Sequence, residues 1–456
     1  MNIIVIGAGK TGEELITSLL AEGHDIAVID PLYSVIENIL ESYDVMGICG
    51  SGVVTETLEK AGADSADLVI ACTPQDEINV LSCVIAKRLG AKSCIARVRN
   101  PELNAQTRFM QRELGIDTMM NPDYYAAHAI SRILRIPSAS KVDSFAGGKL
   151  DMVQLKIAAD CPLVGTALFQ LPGKCKTRVL VCAVQCAGRQ DAIVPSAGYV
   201  IQAGDILSLT ATHADIHRFF REIGALSEPI RDVLLVGGSR IAYYLAKTLV
   251  ESGLHVKIIE EDHDRCVELS RELPHARIIC ADGTNHEILI EEGIRDMDAC
   301  IALTGMDEGN MILSLYALSE GVGKVIPKIN KNALLTMSSH VGLDSAISPE
   351  QLTADVIVSY VRAMGQSGGG SAIRTLYKLL DGQIEAVEFL VQEESAAMTG
   401  IPLAEMHLKK DLLIAGIVRG SQVIYPGAND QFCVGDSIVV VTANKRLSAF
   451  REILAE

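Results

Sequence analysis

The chain has 456 residues, 49% of them hydrophobic and 21% charged, with a formal net charge of −17 at neutral pH, a globular composition long enough for about three or four domains. So acidic a balance excludes capture of nucleic acid or adhesion to anionic lipid, both of which need a basic surface. No uncharged apolar run approaches the ~18 residues of a spanning helix, and the first strand begins at once with no signal peptide before it, so any membrane association must pass through a protein partner.

Residues 3–6, Ile-Ile-Val-Ile, read as a buried strand that runs into Gly7, Ala8, Gly9, Lys10, Thr11 and Gly12. A helical pattern follows, with Leu15, Ile16, Leu19 and Leu20 on one face, and a second strand at 25–29 ends on Asp30. This is the strand, glycine turn, helix, strand and acid of a dinucleotide-binding fold. Gly7 permits the tight turn, Gly9 leaves bare backbone for a pyrophosphate, and Gly12 lets helix and strand approach. The helix N-terminus offers free N–H groups and the positive pole of its dipole to phosphates. Asp30 can accept from both hydroxyls of an adenine ribose and disfavours a 2′-phosphate, so NAD(H) or ATP/ADP is expected before NADP(H).

Further strands are predicted at 45–49, 68–72, 94–98 and 116–120, with helices between them, which means a parallel, doubly wound α/β sheet. A long amphipathic helix at 122–134 leads to Pro137 and Ser138, which mark an exit from the first domain. From about 145 to 225 the pattern changes to short strands separated by glycine turns, with the clearest at 179–184 and 206–210, the latter after Gly204-Asp205. This is a small α+β domain without a catalytic constellation.

The chain then starts again. The strand 233–236 leads to Gly237, Gly238, Ser239, Arg240, Ile241 and Ala242, and a strand at 256–259 ends on Glu260. Gly7 to Gly237 and Asp30 to Glu260 are both displaced by 230 residues; Thr73, Asp76, Glu77 and Asn79 recur as Thr304, Asp307, Glu308 and Asn310, displaced by 231. Gly204-Asp205 recurs as Gly435-Asp436. A two-domain module is duplicated in tandem: nucleotide folds at 1–137 and 229–370, small domains at 138–228 and 371–456. The glycine-rich stretch 366–371 is expected to be a hinge or flexible connection.

This order of domains, the turn from Gly7 to Gly12 with Asp30, the Thr-x-x-Asp-Glu-x-Asn run at 73–79, the 95–99 segment Ile-Ala-Arg-Val-Arg and their second-half echoes resemble the TrkA family, cytosolic regulatory subunits of bacterial Trk potassium-uptake systems. The resemblance spans essentially the whole chain. It implies a non-enzymatic cytoplasmic protein that binds NAD(H), ATP or ADP. It also implies a ring, typically a homotetramer, on the inner face of the membrane beneath a channel subunit of the Trk type. By position, Gly7, Ala8, Gly9, Lys10 and Thr11 would hold phosphates, Asp30 the ribose, Thr73 and Pro74 the far end of the ligand, and Arg97 a phosphate, reaching across a subunit contact or within its own site. The second-half counterparts are Gly237, Gly238, Ser239, Arg240, Ile241, Glu260, Thr304 and, in place of Arg97, Lys328. Ser239 and Ala242 replace two glycines of the fingerprint, and Ser51 stands where the second half keeps Asp282, so the two sites are expected to be unequal.

Two other functions compete with this one. A dehydrogenase needs a proton-transfer residue opposite the nicotinamide; the Tyr243-x-x-x-Lys247 spacing falls on the helix just after the second glycine turn, where phosphates bind, and reads as helix surface and packing. A sensor for another cation transporter would share the fold, but the duplication within one chain favours the Trk type. Asp76, Glu77 and Asn79 are either ligand contacts or a helix cap with acids in its first turn. Twelve cysteines, without any CxxC pair, read as structural thiols and not as a metal site.

Overall fold

The computed structural model describes residues 1–189, 191–365, 373–380, 382–444 and 447–455; the glycine-rich stretch 366–371 lies outside them. The strands Asn2–Ile6, Asp25–Asp30, Met46–Cys49, Leu68–Ala71, Ser93–Arg97 and Thr118–Met120 (β1–β6) form one parallel sheet in the order β3-β2-β1-β4-β5-β6. The central strands are apolar throughout because helices cover both faces. Ile3 and Val5 face a core that contains Leu15, Ile16 and Leu19 of the helix Lys10–Ala21, whereas Ile4 and Ile6 face one that contains Leu58, Cys83 and Ala86.

The strands Lys141–Phe145, Leu150–Lys156, Leu180–Gln185, Ala192–Ile193 and Ile206–Ala211 (β7–β11) make an antiparallel sheet, β10-β9-β11-β8-β7. A second parallel sheet follows from Asp232–Val236, His255–Glu260, Arg277–Cys280, Ala299–Ala302 and Lys324–Pro327 (β12–β16), in the order β14-β13-β12-β15-β16. Where the first sheet has β6, the second has a parallel bridge between Lys328 and Ile347. The strands Ile373–Leu379, Ile384–Leu390, Leu412–Arg419, Gln422–Ile424 and Ser437–Thr442 (β17–β21) close the chain as β17-β18-β21-β19-β20, the order of β7–β11 read from the other edge. The fold is thus two Rossmann-like sheets, each followed by a small antiparallel one, with the same topology in both halves.

The halves interlock. The helix Pro122–Arg135 packs on Arg240–Glu251, and the helix Pro349–Met364 packs on Lys10–Ala21. Each of these crossing helices opens with proline in its first turn, where no N–H is needed, after a side-chain cap: Asn121 accepts from Tyr124 N at 3.1 Å and Ser348 from Gln351 N at 3.2 Å. Asn121 also donates to the Tyr244 hydroxyl, 2.9 Å away, which in turn donates to the Arg99 carbonyl. The small sheets share one core, in which Phe145, Leu150 and Met152 meet Leu379, Ala386 and Val441. A Cβ on Gly416 would lie 2.6 Å from Leu150 Cδ2, so glycine there sets how closely these two sheets approach.

Arg362, 6% exposed, joins three of these units. It pairs with Glu22, at the end of the Lys10–Ala21 helix, and with Glu385 of β18, each at 2.7 Å at the closest. The repeated Gly-Asp turns are also structural. Asp205 is fully buried and accepts from Ala187 N, Gln202 N and the Tyr199 hydroxyl; Asp436, equally buried, binds the Arg419 guanidinium and Cys433 N.

Candidate nucleotide site

At the carboxyl ends of β1, β2 and β4 the first glycine turn forms an open cradle. Gly7 has φ +94° and its missing Cβ would stand 2.9 Å from Thr73 N, so only glycine fits. A Cβ on Gly12 would be 2.0 Å from the Gly7 carbonyl oxygen, which fixes the helix against the turn. Gly9 caps the helix without a side chain and has nothing within 4 Å of a would-be Cβ. That open side of the helix N-terminus is flanked by exposed Lys10 and buried Thr11.

Asp30, 8% exposed, points back over the turn: Oδ2 accepts from Ala8 N at 2.9 Å and Oδ1 from Leu32 N at 3.0 Å. Thr73 lies across the turn. Its N–H and hydroxyl both donate to Asn79 Oδ1 at 2.7 Å, and Asn79 Nδ2 donates to the carbonyls of Thr73 and Arg97. Asp76 Oδ2 accepts from Arg99 N and Asn100 N. Of the two roles open for the Asp76, Glu77 and Asn79 group, Asn79 and Asp76 therefore take the structural one, tying the loop after β4 to the loop after β5, while Glu77 is exposed. Pro74 is exposed and its carbonyl accepts from Arg99 Nη2 at 2.8 Å.

Arg97 is the most informative side chain here. It is 7% exposed, and it spans the cradle, with Nη1 donating to Thr11 Oγ1 at 3.0 Å and Nη2 to the Thr73 carbonyl at 2.6 Å. Among the described residues its Nε has no hydrogen-bond partner and no carboxylate forms a direct ion pair with it, Asp76 and Asp123 acting on its charge only from a distance. Burial, and then the charge of Arg99, hold its guanidinium below the usual arginine range. A buried cation without a counter-ion is costly unless an anion completes it.

The second site differs in kind. Gly237, with φ +99°, repeats the tight turn against Leu303 and Thr304, and Thr304 repeats the bonds to Asn310. Glu260 is longer than Asp30 by one methylene, and its Oε2 accepts from Gly238 N while Oε1 accepts from Asp262 N. A Cβ on Gly238 would lie 2.9 Å from Glu260 Oε2 and 2.7 Å from Leu269 Cδ1. The pairs Ala8 with Asp30 and Gly238 with Glu260 are thus matched in volume. Ser239 caps its helix with its own hydroxyl, accepting from Ala242 N at 3.4 Å, and Arg265 Nε donates to the Gly238 carbonyl at 2.7 Å. The turn is already covered by protein groups that the first turn lacks. Arg240 is exposed, and Ile241, buried, stands where Thr11 offers its hydroxyl to Arg97. Burial lowers the pKa of half-buried Lys328, with Glu350, Asp307 and Asp123 acting against it.

Each helix N-terminus also faces the opposite half. Asn332 Nδ2 reaches Glu14 Oε2 at 3.4 Å across the first. A cavity of about 430 Å³ beside the second is lined by Asn100, Pro101 and Glu102 from one half and Arg240, Tyr243 and Arg265 from the other. Arg265 carries no sequence signal, because no motif marks a guanidinium that covers a turn 27 residues earlier. Lys247 is exposed and Tyr243 stacks edge-on to Tyr244 at 5.3 Å, so the Tyr-x-x-x-Lys spacing is helix surface and packing.

The model of the TrkA-N domain matches residues 3–122 and 233–349, and that of the TrkA-C domain matches residues 152–224 and 386–455. The chain belongs to the TrkA family. It is 32% identical over 454 residues to a Trk system potassium uptake protein TrkA homolog of Archaeoglobus fulgidus, covering 99% of this chain and 100% of that one. It is 31% identical to the Trk system potassium uptake protein TrkA of Vibrio alginolyticus, over 98% of this chain and 96% of that one. Among solved structures, the GsuK RCK domain aligns with a TM-score of 0.63 at 17% identity over 99% of this chain and 94% of that one. The GsuK channel bound to NAD aligns at 0.62 and 17% over 99% and 78%. This TrkA-family chain therefore shares the RCK fold in both halves. No helix among its described residues is long and apolar enough to cross a membrane.

Proposed function

We propose that the chain is a regulatory subunit of a potassium-uptake system that binds NAD(H), ATP or ADP and performs no chemistry on them. The observation that carries the reading is the convergence, in one cradle, of an open glycine turn, the Asp30 carboxylate and the buried, unpaired Arg97 guanidinium. Gly7, Ala8, Gly9, Lys10 and Thr11 hold the phosphates, Arg97 neutralises them, Asp30 takes the ribose hydroxyls, and Thr73 with Pro74 bounds the far end. In the second half Gly237, Gly238, Ser239, Arg240, Ile241, Glu260, Thr304 and Lys328 form a weaker or differently selective counterpart. The names of the relatives support potassium uptake as the process, and the GsuK channel bound to NAD and GsuK bound to ADP support the class of ligand.

Ligand binding acts by favouring one arrangement of the four units, divided at 137, 228 and 370, over another, since equal affinity for both would shift nothing. The Lys10–Ala21 helix carries the phosphates at one end, and beyond its other end Glu22 meets Arg362 and thereby Glu385 of the second small sheet. The readout is flux through a Trk-type channel subunit in the membrane, contacted from the cytoplasm by a homotetramer of this chain. A thermal-shift series with NAD⁺, NADH, ATP and ADP tests the binding claim. A ligand at a hundred times its Kd stabilises the folded chain by about 2.7 kcal/mol, and no shift with any of the four would reject it. Steady loss of NADH absorbance with a small-molecule substrate would reject the non-enzymatic reading.

A further inference from the structure

We propose that Cys266 and Cys280 are a dithiol that hydrogen peroxide converts to a disulfide, a modification site beside Glu260 of the second glycine turn. In the pairing of β13 with β14, Cys280 lies directly beside Glu260. Cys266, in the second turn of the helix His263–Glu272, donates its thiol to the carbonyl of the same Glu260 at 3.3 Å. The two cysteines thus flank one stretch of main chain, with Cys280 Sγ 3.9 Å from the carbonyl of the next residue, Glu261.

Their exposure divides the labour. Cys280 is exposed, with Nδ1 of His263 4.0 Å from its sulfur, whereas Cys266 is 6% exposed. Burial, and then the neighbouring Cys280, push the Cys266 thiol up to about 11. Cys161 and Cys175 are also neighbours, but Cys161 is only half-exposed. Cys83 and Cys94 touch, but both are fully buried. In the first half, Cys49 occupies the place of Cys280, opposite Asp30, and is exposed, but Ile36 stands where Cys266 would be. The same strand end thus presents a thiol in both halves, and only the second has a resolving thiol beneath it.

The chemistry balances with peroxide as the oxidant. The Cys280 thiolate attacks one peroxide oxygen, the O–O bond breaks, and sulfenic acid forms while the departing hydroxide takes the thiol proton to give water. Cys266 then attacks the Cys280 sulfur; the S–S bond forms, the S–O bond breaks, and the second hydroxide leaves with the Cys266 proton as water. Two thiols are oxidised by two electrons and one peroxide is reduced to two waters. The disulfide fastens the end of β14 to the helix that carries Arg265, across the Glu260 main chain, so it clamps the groups that cover Gly238. The dithiol stands on its own contacts, independent of which nucleotide either site accepts.

The full chain, reduced, freed of reductant and treated with hydrogen peroxide near stoichiometry, is alkylated and mapped by mass spectrometry. The expected product is a peptide pair joined through Cys266 and Cys280, lost on adding dithiothreitol and formed ahead of any change at Cys49. Cys266→Ile, which installs the first-half residue, abolishes the pair and leaves a Cys280 sulfenic acid that a dimedone probe captures. Cys280→Ser, at an exposed position, leaves Cys266 unoxidised. Oxidation of Cys280 and Cys49 at equal rates without the joined pair would overturn the proposal, as would joined pairs that ignore Cys266.

Discussion

Replacing Asp30 by alanine separates two roles that its carboxylate combines. In the folded chain it accepts from Ala8 N at 2.9 Å and Leu32 N at 3.0 Å, so its removal leaves two backbone donors without an acceptor. A buried donor left unsatisfied costs about 1–3 kcal/mol, although an open glycine turn admits water to at least one of them, which places the stability loss near the lower end. The nucleotide loses a charged acceptor for its ribose, about 1.5–3 kcal/mol, or roughly ten- to a hundredfold in Kd. Urea unfolding without ligand reads the first quantity and isothermal titration with NADH and ADP reads the second. Glu260→Gln serves as the counterpart, since it leaves the first cradle untouched. A chain that is destabilised as expected yet binds with the wild-type Kd would show that Asp30 only braces the turn, and the assignment of the ribose to it would fall.

Replacing Arg362 by methionine strands the Glu22 and Glu385 carboxylates in a buried setting, a loss of about 3–5 kcal/mol for a broken buried pair; adding Glu22→Gln and Glu385→Gln should recover part of it by denaturant unfolding. Burial alone would raise the Glu22 pKa, but the hydrogen bond and charge of Arg362 hold it below the ordinary 4.5. Its folded value is depressed, so its stabilising share is complete above about 4.5 and is lost as pH falls through the folded value; the methionine variant should lose less stability over that acid range. The two cradles should also titrate unequally, because Ser239 and Arg265 already occupy the second turn. Two equal sites per chain for one dinucleotide would contradict that reading.

The α/β sheets were legible because buried parallel strands are continuous apolar runs, and the glycine turns because close approach excludes a Cβ. The 231-residue echo of Asp76 and Asn79 was visible as a repeat but ambiguous in meaning. Only their bonds to Arg99 N, Asn100 N and Thr73 separate a loop brace from a ligand contact. The interlocking of the halves was hidden for a different reason. A helical period states that one face of 122–135 is buried, but not that the Arg240–Glu251 helix covers it. Likewise Ser239 and Ala242 read as lost glycines, whereas the shift from Ala8 and Asp30 to Gly238 and Glu260 is a volume exchange that needs coordinates to be seen. The sixth strand failed to recur because the second half makes a single bridge, Lys328 to Ile347, in its place.

The most direct test is potassium flux into liposomes that contain a Trk-type channel subunit, with this chain added at the accessible face and NADH, ATP and ADP supplied in turn. Coupling of about 1–3 kcal/mol between nucleotide and channel predicts a change of several-fold to a hundredfold in flux with at least one nucleotide, absent in Asp30→Ala and with no nucleotide consumed. Flux that is the same with every nucleotide and with none would contradict it.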